Sequence, residues 1–195
     1  MSIQNRRERE RAERHQLIID AARELAEEEG WDAVTTRRLA EKVEYSQPVL
    51  YSHFKGKDAI VRAVAVQGAG ELARQLRKAR AIRGRSRLRA AAETYLEFAR
   101  DRPALYDAMF VQQVDIPFGT PEAPQELADA FGELLAAVEP VAGDRDPETL
   151  TEVFWSALHG IATLTHGKRL RPDHHEARLD LVLGALSLAQ QEDRP

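Results

Sequence analysis

The sequence predicts an all-α fold of about nine helices, on the strength of three observations. Ala, Leu, Glu and Arg, all good helix formers, are abundant in a 195-residue chain that is 43% hydrophobic and 31% charged. Apolar residues recur at i, i+3, i+4 and i+7 in several stretches, and β-branched runs are scarce. Residues 35 to 54 read as two very short helices separated by a tight turn, the layout of a DNA-reading helix-turn-helix.

Taken in order, residues 5 to 29 form one long helix. Its first half, Arg6 to Arg14, mixes charges at i,i+3 and i,i+4 and lacks an apolar stripe, so it should fray until something binds it. A solvated arm and an arm whose arginines touch phosphates or a minor groove both fit. Further along, Ile18, Ala21, Ala22 and Leu25 share one face, and Gly30 reads as a left-handed stop. Thr35 and Ser46 then serve as N-caps of two helices of about two turns each, their side-chain oxygens accepting from amides two or three positions on. Leu39, Ala40 and Val43 supply the packing face of the first, and Val49, Leu50 and Phe54 that of the second. Pro48 sits in the first turn of the second helix, where a missing amide hydrogen costs nothing.

A connector helix follows from Lys57 to about Arg80, with Ile60, Ala63, Val64, Leu72 and Leu76 facing a core. Gly68 and Gly70 would each cost about 1 kcal/mol against Ala there, which points to close packing or a bend. The basic run Arg74, Arg77, Lys78, Arg80, Arg83, Arg85, Arg87 and Arg89 invites a phosphate, but such runs are more often solvated or paired with acids. Helices are expected at about 86–101, 103–111, 122–142, 147–169 and 174–191, with breaks marked by Pro103, Pro117 to Gly119, Pro121, Gly143, Pro147 and Pro172. Phe154, Leu158, Ile161 and Thr165, then Leu179, Val182, Leu183 and Leu186, form stripes richer in apolar surface than one body needs.

Several function classes are excluded. Without cysteine there is no disulfide and no thiol chemistry. No apolar run reaches membrane-spanning length and no signal peptide is apparent, so a cytoplasmic protein is expected. A nucleophile elbow, a phosphate loop and a paired His-Glu zinc motif are all absent, so no enzyme and no cofactor are expected. His174 and His175, flanked by Asp173 and Glu176, point apart on a helix and do not make a metal site.

The net charge of −4 runs against DNA binding, which draws most of its non-specific affinity from Lys and Arg. Residues 1 to 60 hold 11 Lys or Arg against 12 Asp or Glu, so any attraction must be local, at Arg37, Arg38, Lys42, Lys55 and Lys57. In the second short helix, Gln47 suits the major-groove edge of adenine and Val49 a thymine methyl, beside Pro48 at the exposed N-terminal edge. Thr36, Arg37, Tyr51, Ser52 and Lys57 are expected to hold phosphates, and His53 to face groove, backbone or a packing surface. Farther on, Trp155 and His159 are helical neighbours with His166 two turns on. With Tyr95, Phe98, Tyr106, Met109, Phe110, Phe118, Phe131 and Thr163 they line either an apolar ligand pocket or plain core.

The order Thr, three residues, apolar-Ala, turn, Ser, then Leu50-Tyr51-Ser52-His53-Phe54 resembles the tetracycline-repressor (TetR) family of bacterial regulators, with the likeness covering residues 16 to 60. Ile18 to Trp31 looks like that family's first helix and Phe54 to Asp58 like its link into the fourth. Phe154 to Gly160 resembles the Trp-x-x-x-His-Gly signature of one of its subgroups. The resemblance implies a helix-turn-helix DNA-binding domain at 1–57, with a charged arm at 1–14, and a ligand-binding and dimerisation bundle at 58–195. It further implies a repressor that binds a palindromic operator of double-stranded DNA as a homodimer, pairs through its two C-terminal helices and is released by a small molecule. It assigns phosphate contacts to Tyr51 and Lys57. A DNA-binding interaction factor without an inducer is the alternative. The chain departs from the pattern at Glu44, where the turn usually carries Gly.

Overall fold

The computed structural model describes residues 3–82, 84 and 86–188. Among these residues it contains nine α-helices and no strand: α1 (Ile3–Glu29), α2 (Thr36–Lys42), α3 (Gln47–His53), α4 (Lys57–Arg80), α5 (Arg87–Asp101), α6 (Pro103–Phe110), α7 (Gln125–Ala142), α8 (Pro147–His166) and α9 (His175–Leu188). Arg83, Arg85 and the C-terminal part of the helix expected to reach residue 191 lie outside the described residues. The chain packs as two compact units, residues 1–68 with 102–122, and residues 69–101 with 123–195. Packing thus groups α6 with α1, a different division from one drawn by function at residue 57.

In the first unit, Ile18, Ala21, Ala22 and Leu25 are buried as their spacing requires, together with Leu39, Ala40, Val43, Leu50 and Phe54. Each fully buried Ile or Leu is worth about 1.5–3 kcal/mol. Val49 leaves the expected packing stripe, because it stands one position before Leu50 on α3 and is exposed. Trp31 is buried and donates its indole N–H to the Ala104 carbonyl at 2.7 Å. Glu27 accepts from the Ala104 amide at 3.3 Å, satisfying an orphan donor at the start of α6. Gly68 explains its own presence in α4: a Cβ there would stand 2.7 Å from Met109 Sδ and 3.0 Å from Leu105. Close packing with α6, one of the two readings of this glycine, is what the helix shows.

Helix ends carry three differences from the expectations. Gly30 does end α1 at positive φ (83°), but ψ is 166°, the extended glycine-only region rather than the left-handed helical one. Ser46 stands at the N-cap of α3 without a side-chain cap bond. Pro48 removes the second amide it would serve, and the Val49 N–H is taken at 3.0 Å by the carbonyl of Ser46. Thr35 caps α2 as expected, accepting from the Arg38 amide at 3.2 Å. Finally, α7 starts at Gln125 rather than 122, because Pro124 disfavours helical backbone in the residue before it.

In the second unit, α5, α7, α8 and α9 pack on one another around Tyr95, Phe98, Leu134, Val138, Phe154, Leu158 and Leu179. The buried face of α8 is Leu150, Thr151, Phe154, Leu158 and Ala162, so Ile161 and Thr165 fall off the stripe assigned to them. Thr151 is kept satisfied by donating to the Pro147 carbonyl at 2.7 Å. Arg145 caps two helix ends at once, donating to Ala142 and Val141 at the end of α7 and to Leu186 in the last turn of α9. Three members of the basic run, Arg77, Arg80 and Arg89, find acids. Arg77 and Arg80 both donate to Glu133, at 2.7 and 2.9 Å, and that carboxylate is nearly buried. Arg89 pairs with Glu93, Glu176 and Asp180, fastening α5 to α9.

Candidate nucleic-acid interface

The first unit presents α3 as a short helix with a buried side and an exposed side. Leu50 is fully buried and Phe54 nearly so, whereas Gln47, Pro48, Val49, Tyr51 and Ser52 are exposed. Sequential spacing produces this division, since Leu50 and Phe54 are one turn apart and the polar residues occupy the remaining arc. Ser52 donates to the Val49 carbonyl at 2.6 Å, and the hydroxyls of Thr36 and Tyr51 meet at 3.4 Å, linking the start of α2 to the outer face of α3.

The angle between α2 and α3 is set by the turn. Val43 is the C-cap and Glu44 follows at φ 56°. The Tyr45 amide donates to Ala40 at 2.9 Å and the Glu44 amide to Glu41 at 3.3 Å, the paired bonds of a Schellman motif. Glu44 therefore adopts the left-handed conformation for which glycine is the usual choice. A second such motif closes α8, with Lys168 at φ 54°.

Most cations expected to meet DNA are already engaged within the unit. Arg38 makes a two-pronged pair with Glu29 at 2.6 and 2.8 Å, which raises its pKa and lowers that of Glu29. Lys42 lies 3.3 Å from Glu24 and Arg37 3.0 Å from Glu41. Lys57 donates to the Trp31 carbonyl, while Lys55 makes no ion pair among the described residues. Thr36 and Lys57 are half-buried, and Arg37 is exposed.

His53 turns toward α1. Its ring lies 6.0 Å from that of His15, which in turn stacks on Phe54 at 4.3 Å. The His53 Nδ1 is buried without a partner. Burial, then the nearby His15, Arg11 and Arg14, hold its pKa below the ordinary histidine value; burial and Arg11 do the same to His15. Sequence reasoning missed His15. Its signal was its place one and two turns before the buried Ile19 and Ala22.

Of the candidate ligand residues, Tyr95, Phe98, Trp155, His159 and Thr163 belong to the second unit, and Tyr106, Met109 and Phe110 to the first. Trp155 donates to the Tyr95 hydroxyl at 3.0 Å, and His159 lies 3.5 Å from Thr163 with its pKa lowered by burial. Tyr106 and Phe110 rings sit 4.9 Å apart. Among the described residues there is no group of three metal-ligating side chains, and no helix is long and apolar enough to cross a membrane.

A capped α2, a Schellman turn and an α3 with one exposed edge make a helix-turn-helix, a motif that reads DNA. Known proteins agree. The pattern described as bacterial regulatory proteins, tetR family, matches residues 18–64, and that described as tetracyclin repressor-like, C-terminal domain, matches residues 88–186. The chain belongs to the TetR family, a family of transcriptional regulators and not of enzymes.

The chain is 34% identical over 100 residues to the uncharacterized HTH-type transcriptional regulator YobS of Bacillus subtilis, a match covering 51% of this chain and 52% of that protein. It is 52% identical over 50 residues to the tetracycline repressor protein class D of Escherichia coli, covering 26% of this chain and 23% of that one. It thus spans about half the length of the first relative and less of the second. Its fold is similar to that of a TetR-family transcriptional regulator from Pectobacterium atrosepticum, with a TM-score of 0.68, 21% identity, and coverage of 95% and 97% of the two chains.

Proposed function

We propose that this regulator is a repressor that binds a palindromic operator as a homodimer and is released by a small apolar or amphipathic molecule. The observation that carries the DNA half is the exposed edge of α3, Gln47-Pro48-Val49 with Tyr51 and Ser52, held on the buried Leu50 and Phe54. Gln47 reads adenine and Val49 a thymine methyl, while Thr36, Arg37, Tyr51, Ser52 and Lys57 hold the backbone and Pro48 and His53 shape the two ends of α3. Residues 1–57 form the DNA-binding domain and residues 58–195 the effector and dimerisation domain. The similarity to a protein named a tetracycline repressor supports repression.

Dimerisation is supported by a second apolar face on the last two helices. Val153, Leu164 and Leu181 are exposed, Leu181 at 74%. On α8 they continue through Ala157, Gly160 and Ile161, and on α9 through Gly184 and Ala185, with open space around both glycines. Two copies that join these faces carry two heads to two half-sites. An effector held in the second unit, where Tyr95, Phe98, Trp155, His159 and Thr163 lie, would weaken operator binding by its differential affinity for two states.

A second reading, a regulator without an inducer, is favoured by one observation. Tyr95 and Phe98 are almost wholly buried and the Trp155 indole is already satisfied by Tyr95, as in plain core.

Selection of bound fragments from genomic DNA, followed by operator titration with the wild type and Gln47→Ala, tests the proposal. Gln47→Ala should lose about 1–3 kcal/mol on the selected operator and almost nothing on random duplex. Equal losses on both refute base reading by Gln47. If no member of a ligand panel changes operator affinity, the second reading replaces release by an effector. A reporter that rises, not falls, on removal of the protein supports repression.

A further inference from the structure

Positions 7, 11, 14, 18, 21 and 25 step along α1 by four and three residues, so they lie on one meridian of the helix. Ile18, Ala21 and Leu25 are its buried part. Arg14, Arg11 and Arg7 continue the same line along a stretch in which residues 4–9 and 11–14 are exposed. Along its length α1 packs on both α2 and α6. The arm is helical as far as Ile3, so its arginines are displayed at fixed spacing, about 5 and 6 Å apart along the axis.

Charge pairing singles these arginines out. Arg37, Arg38 and Lys42 are each tied to a carboxylate, and Lys57 to a carbonyl. On the arm, Arg6 is paired with Glu10 at 2.7 Å. Arg7, Arg11 and Arg14 make no ion pair or side-chain hydrogen bond among the described residues. The first unit thus holds most of its helix-turn-helix cations in internal contacts, Lys55 excepted, and among the described residues leaves the arginine row without ion pairs. The row begins next to the C-terminal end of α3, where His15 of α1 meets His53 at 6.0 Å and Phe54 at 4.3 Å. Arg11 and Arg14 also depress the pKa of His53, in keeping with that proximity.

We propose that the Arg7–Arg11–Arg14 face of α1 is a second DNA-binding surface, which holds backbone phosphates flanking the base pairs read by α3. The proposal rests on the DNA-binding reading above. Arg7 lies about 16 Å along the axis from Ile18, roughly the rise of five base pairs at 3.4 Å each, so the row reaches past the segment covered by a two-turn helix. A row of unpaired guanidiniums on an exposed helix face suits phosphate oxygens, which they bind in any sequence.

The test titrates the full chain against its selected duplex in two lengths, one cut at the site edges and one with about eight flanking base pairs on each side, across a salt series. The wild type is expected to bind the long duplex on the order of a hundredfold more tightly at 0.1 M salt than the short one. The triple variant Arg7→Gln, Arg11→Gln, Arg14→Gln should bind both lengths alike, with the slope of log K against log salt smaller by about 0.9 per lost contact. The corresponding Lys variant should keep the wild-type slope, and unchanged circular dichroism shows that both variants fold. If the wild type binds DNA but the Gln variant matches it in affinity, slope and flank dependence, the arm surface is overturned while the DNA-binding reading stands. A Gln variant weakened equally on both lengths overturns the flanking placement. If the wild type binds no duplex at all, the underlying reading fails and the proposal with it.

Discussion

Glu44→Gly should stabilise the protein, although it removes a side chain from the helix-turn-helix turn. Glu44 is held at φ 56° by the paired bonds from Tyr45 to Ala40 and from Glu44 to Glu41. An L-residue in the left-handed region costs about 1–2 kcal/mol, which glycine avoids. Glycine gives back about 0.4–1 kcal/mol through the greater freedom of the unfolded chain. The substitution also removes a negative charge from the negative end of the α2 dipole, worth about 0.3 kcal/mol at an exposed position. The balance is about 1 kcal/mol in favour of glycine, or a rise of about 2–4 °C in Tm for a chain of this size. Urea denaturation of the wild type, Glu44→Gly and Glu44→Ala measures it. Alanine removes the charge but keeps the backbone cost, so it should gain only the few tenths that belong to the dipole. A Glu44→Gly protein no more stable than Glu44→Ala would refute the reasoning, because the left-handed backbone would then carry no penalty.

Two further predictions concern ionised groups. Glu133→Gln should destabilise the second unit by about 2 kcal/mol, since a nearly buried carboxylate serves Arg77 and Arg80 while both arginines keep some access to water; an unchanged urea midpoint would show that the clamp contributes nothing. Because the pKa values of His15 and His53 are lowered, the folded state binds fewer protons than the unfolded one below about pH 6.5, so stability should fall as pH drops from there toward the folded values. Paired denaturation at pH 7.5 and about 5.5 should show a smaller loss in His15→Gln, His53→Gln than in the wild type, and equal losses would refute it.

The helices were legible because their signals are local. Thr35 caps α2, Ile18 to Leu25 repeat at helical spacing, and α4 begins and ends at Lys57 and Arg80 as the pattern indicates. What stayed hidden depends on partners distant in sequence. Nothing local distinguishes Val49 from Leu50 as exposed and buried, and α8 has apolar residues on two faces, so the pattern mixed Ile161 with the inner stripe. Ser46 illustrates a competition within four residues: the cap was read correctly by position, but Pro48 and the Val49 amide left its hydroxyl no donor. The orientation of His53 toward His15 is a tertiary fact spanning 38 positions, and no property of α3 alone encodes it.

Net charge was the least informative quantity read from the chain, and pairing explains why. A total of −4, and near neutrality over the first 60 residues, suggest a weak field for DNA. Counterion release, however, depends on cations that reach phosphates, not on the sum of charges. Arg38 and Lys42 pair with Glu29 and Glu24 and so bridge α2 to α1 through partly exposed ion pairs. Those acids are therefore structural, and their subtraction from the head's basic count misstates what DNA would meet. Removing one of them should not strengthen binding as a lost negative charge would; it should weaken it by loosening the helix that positions Gln47. Glu29→Gln, which keeps the size of the side chain and drops the charge, separates the two effects: a weaker operator complex with unchanged salt slope supports positioning, and a tighter one with a steeper slope supports simple repulsion.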